Sequence, residues 1–243
     1  MIASSVPNSS HFSQSTGLSF LDGKERWTSN YNLSLELTDA AVEVAILLID
    51  SDAVSRLSKQ VLANAKCDDD KMSCLYAVVK SLRLKFKFAD SKKVAFTMLE
   101  QQGERLPRPF DDTGLQANLR EMNDLLQSMT DDSIMNMKES NQKKRDIILL
   151  SLYHDLNFLF QFVNPSLIAD TSLRMAEITF ANGLSQMSPL ALAQFAIVLV
   201  KIGEYSTGYR IGTLALRLLD RVNAKRYQSS VMMLVGGLVS WVA

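Results

Sequence analysis

From about Trp27 to the end of this 243-residue chain, apolar side chains return at helical spacing, in stretches separated by short polar breaks. Leu33, Leu37, Ala40, Ala41, Val44, Ala45 and Leu48 mark one face of a first helix, and "IDSDA" is the turn after it. In "AVSRLSKQVLANAK", Val54, Leu57, Val61 and Leu62 share a face of a second helix, which ends at the acidic break "CDDDK". Two helices joined so briefly form a hairpin. The pattern predicts an all-α chain, because nowhere do two alternating segments flank a hairpin-type turn.

One stretch competes with that reading. In "SLRLKFKFADSKK", Leu82, Leu84, Phe86 and Phe88 alternate with Arg83, Lys85 and Lys87, which is the period of a strand. Leu75, Val78, Val79, Leu82 and Phe86 also fit a helix face, and they extend over three turns, so length decides for helix. "ADSKKVAFTMLEQQG" is then its partner, with Gly103 as C-cap before Pro107 and Pro109. "ERLPRPFDDTG" is the clearest linker. Beyond it, "LQANLREMNDLLQSM" is an amphipathic helix, "TDDSIMNM" an Asp-capped short one, and "KRDIILLSLYHDLNFLFQFV" a long apolar one stopped by Asn164-Pro165. A helix from Ser166 to Asn182 follows, with Gly183 as C-cap, and then Ser188 as N-cap with Pro189 at the first helical position.

"KIGEYSTGYRIGTLALRLL" places Gly208 and Gly212 inside a helix, where each costs about 1 kcal/mol relative to alanine. Residues 189–202 and Ser206 to Arg221 make an antiparallel pair around the tight turn "GEY", and Gly208, Gly212 and Ala215 fall on one face of its second helix. Small residues there let two backbones approach closely, and the added contact offsets the lost propensity. A phosphate loop does not fit: no strand precedes these glycines and no Lys-Ser/Thr follows.

That hairpin, "LAQFAIVLVKIGEYSTGYRIGTLALRLLD", resembles a tetratricopeptide-type repeat, with Ala196 and Gly208 at the small positions of its two helices and Ala215 as the later alanine. Asp220 stands where that repeat closes on proline, and Leu192 where a bulky aromatic is usual. The N-terminal hairpins look like worn copies, with Val54 and Val94 at the small position. The resemblance implies an α-solenoid of antiparallel helical hairpins. The order of wording along residues 17–241 also resembles the helical-repeat segment of large multidomain signalling proteins, in which a kinase-like domain and a predicted AAA-type ATPase domain precede the repeats and sensor and histidine-kinase modules can follow. "YNLSLELTDAAVEVAILLIDSDAVSRLSKQVLANAK", "FTMLEQQGERLPR", "LREMNDLLQSMTDDSI" and "GEYSTGYRIGTLALRLLDRVNAK" carry it. The chain departs from that family at "MNMKES", where an "LPxM" is usual, and lacks the catalytic domains. The resemblance therefore implies a linking and regulatory segment in cytoplasmic signalling, with no ATPase or kinase residues to carry over.

The expected organisation is a disordered Ser/Asn-rich start at 1–16, N-terminal hairpins over 17–106, a linker at 107–114, and C-terminal repeats over 115–243 that continue past the end if the chain is part of a longer protein. With 26 basic and 26 acidic residues, the chain offers no electrostatic reason to bind nucleic acid or an anionic membrane. "LALAQFAIVLV" and "VMMLVGGLVSWVA" fall short of the roughly 20 residues that span a bilayer. The start lacks the basic and apolar regions of a signal peptide, and Cys67 and Cys74 sit seven apart, about 10 Å along a helix, so buried reduced thiols in the cytoplasm are expected.

Candidate chemistry is sparse, and no cofactor or metal is expected. His11 and His154 lack ligand spacing to a second His or Cys. His154 with Asp155 is the one candidate base and orienter, which would make the alternative a small all-α hydrolase, but neighbours on a helix point about 100° apart. Asp68, Asp69 and Asp70 lack the Gly and distal Glu of a calcium loop and read as a solvated turn. "KESNQKKRD" is a charged helix start, too small for a nucleic-acid footprint. The functional expectation is a non-catalytic module for protein-protein interaction or intramolecular coupling. Its candidate docking face is the last helix, through Met232, Leu234, Leu238 and Trp241, where self-association is also expected because the segment is apolar all round.

Overall fold

A computed structural model describes residues 26–141 and 144–242, and follows the side chains of the last helix as far as Gly237. Residues 1–16 with His11, and the side chains of Leu238 and Trp241, lie outside the described residues. Every named element among the described residues is helical, and no helix among them is long and apolar enough to cross a membrane. The chain divides into two compact units, with the boundary between Arg105 and Leu106.

The first unit contains α1 (Arg26–Ser29), α2 (Tyr31–Leu47), α3 (Ser51–Asn64), α4 (Asp68–Leu84) and α5 (Phe88–Gln101). Val42, Ala45, Ile46, Val54, Leu57 and Ala77 form its main core, and Trp27, Val61 and Cys74 a second. The buried face of α2 is rotated from the expected one. Ser34, Thr38, Val42, Ala45 and Ile46 point inward, while Leu33, Leu48 and, on α3, Leu62 are exposed. The reason is local: Ser34 and Thr38 donate to the carbonyls of Arg26 (3.0 Å) and Ser34 (2.6 Å), so small hydroxyls can be buried already satisfied. "CDDDK" is solvated, with Asp68 and Asp69 exposed, but it opens a helix rather than forming a turn. Cys67 is the N-cap of α4, and Asp68, Asp69 and Asp70 fill its first turn, where the exposed N–H groups and the helix dipole favour negative charge.

The competition over "SLRLKFKF" resolves as helix through Leu84, followed by a turn that joins three of the helix pairs among the described residues. In each case a three-residue link leaves the first helix through a residue of positive φ: Ile49 at 58°, Phe86 at 58° and Gly203 at 92°. The N–H of the following residue reaches back to close the helix, from Asp50 to Ala45 O (2.8 Å), Lys87 to Leu82 O (3.0 Å) and Glu204 to Leu199 O (2.9 Å). A second bond links Ile49 N–H to Ile46 O, Phe86 N–H to Arg83 O and Gly203 N–H to Val200 O. This is the Schellman closure, and it also ends α5 at Gly103 and α11 at Asn223. Counted from the turn, Ser91 rather than Val94 corresponds to Gly208 and Val54, and Val79 and Val42 correspond to Ala196. The match is physical as well. Ser91 is buried and donates to Val79 O at 3.1 Å, and an added Cβ on Gly208 would meet Ala196 O at 2.9 Å.

The second unit contains α6 (Thr113–Ser128), α7 (Asp131–Met135), α8 (Lys144–Val163), α9 (Ile168–Asn182), α10 (Ser188–Lys201), α11 (Tyr205–Arg221) and α12 (Gln228–Val242). Short 3₁₀ turns at Pro165–Leu167 and Lys225–Tyr227 precede α9 and α12. Two caps differ from expectation. Thr130, not an aspartate, accepts from Ser133 N–H (3.1 Å) to start α7. Met187 takes the N-cap place of α10, because the Ser188 hydroxyl is turned back to accept from Ser185 N–H (2.8 Å). Helix α10 is the hub of this unit: it is buried from Leu190 to Ala196 and packs against α9, α11 and α12.

Within 107–114, read as a linker, Arg108 is pinned. Its N–H and guanidinium hold the buried Asp170 carboxylate of α9 at 2.8 and 3.1 Å. Asp112 then caps α6 by accepting from Leu115 N–H at 2.7 Å. On α11, Arg210 donates to the carbonyls of Leu126 and Met129, where α6 ends, and to Asp131 Oδ1 at 2.9 Å. Arg217 takes the other oxygen of Asp131 at 3.2 Å. A cationic group closing the C-terminal carbonyls of a helix satisfies both its hydrogen bonds and its dipole.

Candidate functional site

Three places in the two units carry polar or exposed groups that packing alone does not require. The first lies in the second unit, around His154. Its helix α8 presents Asn157 one turn later to the same interior, and α9 and α10 supply Thr171, Ser172 and Gln194. The Gln194 Nε2 amide lies 2.8 Å from His154 Nδ1. Its other end, Oε1, accepts from Asn157 Nδ2 at 2.8 Å. Asn157 Nδ2 also donates to Ser172 Oγ at 3.1 Å, and Asn157 Oδ1 accepts from the Thr171 hydroxyl. With Oε1 facing Asn157, Gln194 turns its NH₂ toward His154, an orientation that suits an imidazole accepting at Nδ1 with its proton on Nε2. His154 is half-buried, whereas Asn157, Thr171, Ser172 and Gln194 are buried. His154, the candidate base of the alternative reading, is thus joined to a hydrogen-bonded chain across three helices. Only Asn157 and Gln194, single amides inside apolar runs, could have signalled it in the sequence.

The second place is the turn end of the first unit. Ile49 and Phe86 occupy the left-handed position of successive hairpin turns, where glycine is cheapest and where a β-branched residue is a true outlier. Yet both are exposed: Phe86 to 81% and Ile49 to 69%, with Leu47 at 81% beside them. Beside the Ile49 turn is a shallow surface crease that encloses no cavity, lined by Ala45, Ile46, Ile49, Val54, Ser81 and Leu84. Lys85 and Lys87, either side of Phe86, are exposed. The sequence places Phe86 on the helix face and gives no signal for its protrusion, because a left-handed cap is announced by glycine or asparagine and not by phenylalanine.

The third is the expected docking face on α12. Val231 and Val235 are buried, and α12 packs on α10 and α11, so the helix covers one of its sides within its own unit. Met232 and Met233 are exposed, while Leu234 is half-buried with the inner residues. Met232 and Leu234 therefore lie on different sides of the helix.

The cysteines divide. Cys67 is exposed, contrary to the expectation that both thiols are buried, because it sits outside α4 as its cap. Cys74 is fully buried, and burial, reinforced by Asp39, pushes its thiol up to about 12. Near Cys67, Tyr31 donates to Asp70, and its oxygen accepts from Lys66 N–H at 2.9 Å. Burial opposes ionisation of Asp70, but hydrogen bonds from Tyr31, Cys67 and Lys66 outweigh it and hold the carboxyl below its usual range. A thiol reagent at neutral pH is expected to modify one cysteine per folded chain and two after unfolding, since only the thiolate reacts. Mass spectrometry should place the native adduct on Cys67, and rapid native labelling of Cys74 would contradict the packing.

No protein-family model, curated protein or solved structure matches the chain. Among the described residues, no group of three or more His, Cys, Asp or Glu side chains could hold a metal ion.

Proposed function

We propose that the chain is a non-catalytic helical-repeat module, an α-solenoid of tetratricopeptide-like hairpins that couples protein partners or neighbouring domains, in the setting of a cytoplasmic signalling ATPase or kinase. Support for the repeat comes from the turn shared by the α2–α3, α4–α5 and α10–α11 hairpins, and from the close contact between equivalent places in it, Ser91 with Val79 and Gly208 with Ala196. The observation that carries the interaction role is the pair Ile49 and Phe86. A left-handed conformation costs a non-glycine residue about 1 kcal/mol or more, and beyond an edge-to-face contact of Phe86 with Phe88 at 5.9 Å most of this apolar area stays in water in the free chain. A binding surface accounts for both costs, because the apolar area is recovered on association. The exposed Met232 on α12 adds a second apolar place for self-association.

The variant Ile49→Gly/Phe86→Gly separates binding from folding. It is expected to raise the midpoint of thermal unfolding by a few degrees, because strain is relieved. A photoreactive amino acid at Leu47 should give one defined protein adduct in cells, and the double variant should lose it. A variant that keeps the same adduct would overturn the assignment of this surface.

A further inference from the structure

The polar chain in the second unit runs in one direction only. Thr171 O–H donates to Asn157 Oδ1, Asn157 Nδ2 to Gln194 Oε1, and Gln194 Nε2 to His154 Nδ1. Each link has a partner able to reverse. The two amides exchange donor and acceptor by a half-turn of their planes, and hydroxyls donate or accept as their hydrogens rotate. Thr171 Oγ1 has Leu167 O at 3.1 Å and Ile168 O at 3.0 Å, so its hydrogen has somewhere else to go. Ser172, which accepts from Asn157 Nδ2 at 3.1 Å, can donate to Asn157 Oδ1 once that amide turns.

We propose that His154 is a proton-operated switch, in which protonation at Nδ1 reverses the donor and acceptor sense of the whole Thr171–Asn157–Gln194–His154 chain across α8, α9 and α10 in one concerted step. The step takes one proton from solvent and forms one N–H bond on the imidazole. His154 then donates to Gln194 Oε1, Gln194 Nε2 to Asn157 Oδ1, Asn157 Nδ2 to Thr171 Oγ1, and the Thr171 hydroxyl to Leu167 O. Every group is satisfied in both directions, whereas any partial reversal sets two donors face to face in a buried site, a costly arrangement. That makes the element two-state. The proton has a route, because His154 is half-buried whereas the four residues it is joined to are buried, and imidazole is the side chain whose ordinary titration lies between about pH 5 and 8. The charged and titratable groups on the surrounding elements are Lys144, Arg145, Asp146, Tyr153 and Asp155 of α8, Asp170 of α9 in its pair with Arg108, the Arg174–Glu177 pair of α9, and Lys225, Arg226 and Tyr227 ahead of α12. From Ser188 to Val200, α10 carries no charge, so Gln194 is the group it offers. The inference is independent of the interaction role proposed above.

The test is nuclear magnetic resonance on the full chain labelled with ¹⁵N and ¹³C. At high pH the His154 ring should be the tautomer protonated on Nε2. On acidification, the side-chain NH₂ signals of Gln194 and Asn157 should move with the same midpoint as the His154 ring. In Gln194→Glu, a carboxylate accepts from Asn157 and from protonated His154 together, so the His154 midpoint should rise by at least about one pH unit and the Asn157 amide should no longer follow it. A ring protonated on Nδ1 at high pH, amide signals that stay fixed while the ring titrates, or an unchanged midpoint in Gln194→Glu would each overturn the proposal. The first two are read on the native chain and do not depend on the variant folding.

Discussion

Replacing Gly183 with alanine should cost the second unit about 3 kcal/mol or more, among the largest effects available to a single methyl group in this chain. Two independent causes add. Gly183 ends α9 at φ 98°, ψ 178°, a backbone region that is essentially glycine-only and costs other residues about 1–3 kcal/mol. The added Cβ would also lie 2.5 Å from Lys138 O and 3.1 Å from Ser140 N. Those atoms are backbone and cannot swing away. They are held by the short pairing of Glu139 with Leu184, in which Leu184 N–H donates to Lys138 O (2.9 Å) and Ser140 N–H to Leu184 O (2.7 Å). Relieving the clash therefore means breaking the pairing that ties 138–140 to the start of α10. Gly203→Ala supplies the comparison: it has φ 92°, but nothing lies within 4 Å of its Cβ, so only the conformational cost of about 1–2 kcal/mol applies. Urea unfolding of the two variants should rank them in that order. Equal losses would show that the 138–140 segment yields.

Helix positions were legible in the sequence because they depend on the run of apolar spacing, which survives errors of one residue. Faces were less legible. The inward face of α2 is built partly on Ser34 and Thr38, which a hydrophobic count scores as outward, and their satisfied hydroxyls are visible only once the helix exists. Caps divide in the same way. The left-handed ends at Gly103 and Gly203 could be read from residue type, but the identical ends at Ile49 and Phe86 could not, since nothing in an isoleucine or phenylalanine announces φ near 58°. The misplacement of Val94 follows from that blindness: without the turn at Phe86 as a register mark, the small position was counted three residues late. His154 was legible as a histidine of a helix interior. Its partners were not, because Gln194 lies 40 residues away and reaches it only when α10 packs across α8 and α9.

Gly208→Leu is the second large effect expected, and its sign is set by two opposing terms. Leucine is the better helix former by close to 1 kcal/mol, so a glycine in open solvent would be improved by the change. Gly208 is not in open solvent: it is buried where α11 crosses α10, with Val200 Cγ2 2.7 Å, Ala196 O 2.9 Å and Val200 N 3.2 Å from where a Cβ would stand. The Val200 methyl could rotate away, but the carbonyl and amide belong to α10, and that helix is wedged between α9, α11 and α12. Even the first carbon forces the two helices apart, and leucine adds three more heavy atoms to a filled seam. Overpacking of this kind costs about 1–3 kcal/mol and more when backbone has to move, so the net loss should be at least 2 kcal/mol despite the gain in propensity. Alanine at the same position should also destabilise, by less, which separates a tight seam from a general intolerance of side chains. The readout is the urea midpoint of each variant at constant slope. If Gly208→Leu were as stable as the native chain, α10 and α11 would have to be free to separate, and the close contact of Gly208 with Ala196 and Val200 would lose its structural role.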